Sequence, residues 1–167
     1  MSRESLYFTD NFFSAGRTEI YNESKEKVGE LDLKSVFSSG VDVLDSEGNL
    51  VISAKFPVLR SKWKVYDNQG QEIGVLKQKF TFFAKKYEYH AYERGSFLVK
   101  SEAFSKQYEI YKAEKKLAAT FAKISGFFSS PTYQLQNYTD ELPSEELIAI
   151  VMGINAIEKN NTAAAST

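Results

Sequence analysis

Apolar and polar residues alternate with period two through most of the chain, and short turn signals separate the alternating runs at strand-like spacing. The pattern predicts a mainly β protein. Strands are expected at Leu6–Phe13, Arg17–Asn22, Val28–Leu33, Val41–Leu44, Leu50–Phe56, from Trp63, and through Ile73 to Lys77. Further strands are expected at Tyr87–Tyr92, Phe97–Phe104, Gln107–Tyr111, Lys116–Ile124 and Thr132–Gln136, which makes about ten to twelve in all. Two turns share one form: Asp45-x-x-Gly48 and Asp67-x-x-Gly70 each stand between alternating runs, with a glycine that can take the positive φ of a hairpin turn. They predict consecutive hairpins of one antiparallel meander.

The period changes after Tyr138. Ser144 offers an oxygen to an orphan amide, Glu145 and Glu146 suit the positive end of a helix dipole, and Pro143 discourages extension backward. From Leu147 to Ile157 the only polar side chain is Asn155, so a helix here leaves no face for water and must be enclosed. Asn155 is expected to bond a strand carbonyl or another polar group, since burying it unpaired costs roughly 1–3 kcal/mol. A helix over Glu145–Lys159 is about 22 Å long, close to the height of a small barrel, and its apolar block is too short for a bilayer span. The strands and the enclosed helix together predict a closed antiparallel β-barrel of about 12 strands around a hydrophobic C-terminal α-helix. The length suits a single domain over residues 1–159, and residues 160–167, small and polar, are expected to fray.

These residues resemble the tubby C-terminal-like superfamily, in particular its branch of LURP-one-related and YxjI-like proteins, with phospholipid scramblases as cousins. The resemblance runs from about Val41 through Glu158. It is carried by Val41-Asp42-Val43-Leu44-Asp45-Ser46-Glu47-Gly48-Asn49-Leu50-Val51, by Trp63-Lys64-Val65-Tyr66-Asp67-Asn68-Gln69-Gly70, by Lys77-Gln78-Lys79 and by the apolar C-terminal helix. It implies a barrel of about twelve strands around a central helix, in agreement with the pattern. For function it implies less: tubby is associated with phosphoinositide binding and scramblases with lipid movement. The cysteine-rich and proline-rich segments of animal scramblases are missing, and the loop at Asp45 lacks the carboxylate spacing of an EF-hand.

Composition narrows the chemistry. The chain has no cysteine and one histidine, His90, which excludes a disulfide framework, a thiolate metal site, a Cys nucleophile and a two-His metal site. No Gly-rich phosphate loop, GxSxG elbow, HExxH or paired CxxC occurs. Glu88 and His90 share a strand face and could form an acid/base pair, but no nucleophile is signalled beside them, so the plainer reading is a surface pair. The expectation is a protein that is not an enzyme and has no cofactor and no metal.

The net charge of −1 is unevenly spread: −3 over residues 1–76, +6 over 77–123 and −4 over 124–167. The middle stretch makes Lys77, Lys79, Lys85, Lys86 and Lys100 candidates for anion or lipid binding, because several nearby cations attract a polyanion over a Debye length of roughly 8 Å. The plainer alternative is a set of solvated outer positions on alternating strands. The aromatic cluster Phe80, Phe82, Phe83, Tyr87, Tyr89 and Tyr92 has the composition of a single-stranded nucleic-acid platform, yet barrel walls packed on a helix also require aromatics, and nucleic acid is not favoured. Ser125-Gly126-Phe127-Phe128-Ser129-Ser130 is either an apolar loop that dips into an interface or a simple connection, and the connection is preferred. The expected function is a non-catalytic binding module that associates weakly with anionic phospholipid headgroups or another polyanion. The alternatives are a protein-interaction or regulatory scaffold without lipid affinity, its partner an unidentified protein, and a small-molecule carrier at a barrel end. Met1 to Phe13, broken by Arg3, Glu4, Asp10 and Asn11, gives no support for a signal peptide. The expected location is the cytoplasm, with a peripheral place at the inner membrane surface as the lipid reading's corollary.

Overall fold

Alternation of buried and exposed residues along each strand curls the chain into a closed barrel with one packed interior. The structure, a computed structural model, describes residues 3–34, 40–57, 62–79, 85–101, 105–113 and 115–165. Among these are twelve strands: β1 (Glu4–Thr9), β2 (Gly16–Tyr21), β3 (Lys27–Leu33), β4 (Gly40–Asp45), β5 (Leu50–Lys55), β6 (Trp63–Asp67), β7 (Glu72–Lys79), β8 (Lys85–His90), β9 (Ser96–Ser101), β10 (Tyr108–Lys112), β11 (Lys116–Ile124) and β12 (Thr132–Asn137). Each pairs antiparallel with the next, and β1 closes the ring on β12 from Glu4↔Asn137 to Thr9↔Thr132. The two Asp-x-x-Gly turns form as expected. Asp45 accepts from the amides of Glu47 and Asn49, Asp67 from those of Gln69 and Gln71, and Gly48 and Gly70 take φ of +85° and +81°.

Some strands end earlier than the alternation suggests. β1 stops at Thr9, where the amide of Phe12 turns back onto the Thr9 carbonyl and drops Phe12 into the interior against Phe8, Phe121 and Tyr133. β8 stops at His90, because Tyr92 takes a φ of +52° in a 3-10 turn, Tyr92–Arg94. Phe80, Phe82 and Phe83 lie outside the described residues, as do residues 102–104 of the expected β9.

The helix α1 (Ser144–Ala165) threads the barrel. It runs beyond Lys159, where the apolar pattern ends it, and takes in most of the segment expected to fray. Leu147 to Met152 and Ile154 are at most 1% exposed, as a helix without a polar face requires. The wall comes close at Trp63, whose indole N–H donates to the Ala149 carbonyl at 3.0 Å. That approach depends on Gly153: a Cβ there would lie 2.4 Å from Trp63 Cδ1 and 2.7 Å from Leu76 Cδ2. Gly153→Ala is therefore expected to overpack the interior and cost about 1–3 kcal/mol. A thermal melt of the variant superposing on that of the natural chain would show that the helix does not approach the wall this closely.

Candidate functional site

Antiparallel strands run alternately up and down, so the end of β7, the start of β8 and the end of β9 share one rim of the barrel. This is the rim at which the C-terminal half of α1 emerges, since Lys85 at the start of β8 pairs with Glu158 of the helix at 3.7 Å. The sequence candidates collect here. Inward positions are marked by buried Leu76 on β7, Tyr87 and Tyr89 on β8, and Phe97 and Val99 on β9. Period two then places Lys77, Lys79, Lys86 and Lys100 on the outer face.

Strand register aligns three of them. Lys79 stands opposite Lys86, and Lys86 opposite Lys100. Directly opposed side chains have Cβ atoms roughly 4.5–5.5 Å apart, and like charges in such pairs oppose folding. The row thus holds two successive cation–cation pairs, and its first carboxylate is Glu109, opposite Lys100. Lys100 extends over the ring of Tyr111, 4.6 Å from its centroid. Beside it a groove of about 340 Å³ is lined in part by Gln107, Glu109 and Thr120. Lys77 lies two residues below Lys79, and Glu88 takes ion pairs from Lys77 at 3.8 Å and Lys79 at 2.8 Å. The Lys79 bond, ahead of the other charges, holds the Glu88 carboxyl below the usual carboxylate range.

Lys85 separates from this row. It shares the inward parity of Tyr87 and Tyr89, so its ammonium turns into the mouth instead of joining Lys86 outside. There it meets residues that the alternation did not single out. Lys106 donates to Asn155 Oδ1 at 2.9 Å and lies 3.8 Å from Glu158, which satisfies the expectation that Asn155 finds a polar partner. Tyr87 donates to Glu158 Oε1 at 3.2 Å. No sequence signal could join positions so far apart in the chain; the only hint was that Glu158 ends the apolar block.

The remaining candidates make contacts within the fold. His90 bonds Ser96 through Nδ1 at 3.1 Å and packs edge-on against Tyr92, while Glu88 belongs to the lysines. Tyr87 and Tyr89 are wholly buried. The 125–130 segment folds back onto the wall, where Phe127 stacks on Tyr7 with centroids 3.7 Å apart and Phe128 meets Tyr21 edge-on at 5.1 Å. These contacts cover the seam where β1 meets β2 at Tyr7↔Tyr21. No group of acidic or imidazole side chains suited to a metal ion occurs among the described residues, and no helix among them is long and apolar enough to cross a membrane.

The sequence profile of the LURP-one-related family matches residues 4–152. The fold is similar to that of an X-ray structure of a protein from Arabidopsis thaliana, with a TM-score of 0.61, 15% sequence identity, and coverage of 92% of this chain and 91% of that one. No curated protein is matched by sequence.

Proposed function

We propose that this chain, which belongs to the LURP-one-related family, is a non-catalytic binding module that docks on anionic phospholipid headgroups through the outer rim of β7–β9. The observation that carries the reading is the aligned row Lys79–Lys86–Lys100, flanked by Lys77. Stacking cations on adjacent strands is a local cost to folding, and an arriving phosphate removes it by lowering the repulsion. Lysine suits this role, because it acts as a point charge that can share several phosphates, whereas bidentate recognition of one phosphate would call for arginine. Lys85, at the rim itself, adds to the field without lying in the row.

Sedimentation with phosphatidylglycerol vesicles tests this. Each basic residue near such a surface contributes about 1 kcal/mol, so Lys86→Glu with Lys100→Glu is expected to weaken binding by roughly thirtyfold or more. Added salt should weaken it progressively. Absence of binding by the natural chain at low salt, or equal binding by the double variant, would leave the lysine row without this role and turn the reading toward a scaffold for another protein.

A further inference from the structure

The mouth of the barrel holds a second cationic cluster, distinct from the outer row. Lys85 and Lys106 both reach Glu158, at 3.7 and 3.8 Å, and both separations are long for direct ion pairs. Glu158 is therefore shared by the Lys85 and Lys106 ammonium groups. Burial, first among the causes, lowers the Lys106 pKa, and Lys159 and Lys85 lower it further, whereas Glu158 opposes the shift.

Tyr108 supplies an independent observation. Its side chain points inward from β10, the residue is 1% exposed, and its hydroxyl has no hydrogen-bond partner among the described residues. Leaving a buried hydroxyl unpaired costs roughly 1–3 kcal/mol, and native structures rarely tolerate it without a reason. Burial raises the pKa of this hydroxyl, and the Glu158 carboxylate adds to the shift. Tyr87 stands on the same side of the interior with its hydroxyl already on Glu158. An acceptor that reached both Tyr108 Oη and the Lys106 ammonium would satisfy the hydroxyl and take a charge-assisted hydrogen bond from the lysine.

We infer that the helix-exit mouth is a binding site for a small phosphate- or carboxylate-bearing anion, which accepts hydrogen bonds from Tyr108 Oη and the Lys106 ammonium, with Lys85 supplying further charge. The site is independent of the lysine row outside. Its anion is either a free metabolite or the exposed headgroup of a lipid.

Isothermal titration with inorganic phosphate, against sodium chloride at matched ionic strength, provides the test. The natural chain should bind phosphate above the chloride control. Tyr108→Phe, which keeps the ring and removes only the donor, should weaken that binding about tenfold, and Lys106→Gln should weaken it at least as much. Lys86→Glu with Lys100→Glu should retain the phosphate binding that Tyr108→Phe weakens while reducing vesicle binding, so failure here and failure of the membrane reading are distinguishable. If Lys106→Gln does not fold, Tyr108→Phe alone decides. Phosphate binding that vesicles of phosphatidylglycerol suppress would assign the mouth to a headgroup, and binding that they leave unchanged to a free anion. No heat beyond the chloride control, or equal affinity in Tyr108→Phe, would overturn the site and leave Tyr108 as a hydroxyl satisfied by water.

Discussion

A chain ending at Pro143 is expected not to fold. It would lose the side chains of Leu147, Ile148, Ala149, Ile150, Val151, Met152 and Ile154, each at most 1% exposed inside the barrel. Burying one large apolar side chain contributes roughly 1.5–3 kcal/mol, so the loss is comparable to the total stability of about 5–15 kcal/mol typical of a domain. The wall would suffer as well. Trp63 would lose the acceptor of its indole N–H, and Val43, Val65 and Leu76 would line a void or admit water. Circular dichroism and sedimentation of the truncated chain check this, and a folded, cooperative monomer would refute the central role of the helix. Ile150→Asp is the single-residue form of the same experiment: a charge at a fully buried site with no partner provided should abolish soluble expression.

Arg94→Ala is expected to cost about 3–5 kcal/mol, although Arg94 lies on a 3-10 turn near the surface. The reason is its partner. Glu146 is wholly buried in the first turn of α1, with Oε2 held by Arg94 at 2.6 Å and Oε1 at 2.8 Å, and the hydroxyl of Tyr89 donates to it as well. Arg94 also donates to the carbonyls of Ile73 at 2.9 Å and Glu141 at 3.3 Å, so one guanidinium ties the helix start to strand β7 and to the connection that follows β12. Without it a carboxylate remains buried and largely uncompensated. The melting temperature should fall on the order of 10 °C. Adding Glu146→Gln should recover part of that loss, because the buried charge is then gone. Lysine at 94 should rescue poorly, since it lacks the fork that serves both carboxylate oxygens. A melting temperature unchanged in Arg94→Ala would show that the pair does not anchor the helix.

Local pattern was enough for the kind of element and the face each residue takes. The period-two runs, the paired Asp-x-x-Gly turns and the wholly apolar block after Ser144 record which side chains avoid water, and that information is carried by neighbours a few residues apart. It therefore yielded the barrel, the enclosed helix and the need of Asn155 for a partner. Strand ends were less legible, because the alternation continues through Phe12, and only the turn at Thr9 decides that Phe12 enters the interior. Glu146 reads locally as a carboxylate suited to a helix start, and its burial against Arg94 and Tyr89 is decided by packing. The same division holds for the basic residues. Period two places Lys85 and Lys86 on opposite faces, but sliding one strand by two residues would preserve every inward and outward assignment while changing every cross-strand neighbour. Only the register of the closed barrel sets Lys79 opposite Lys86 and Lys86 opposite Lys100. Only the threading of α1 through that barrel brings Glu158 to Lys85, Lys106 and Tyr87. Such meetings depend on chain closure over tens of residues, and a local rhythm of apolar and polar positions does not encode them.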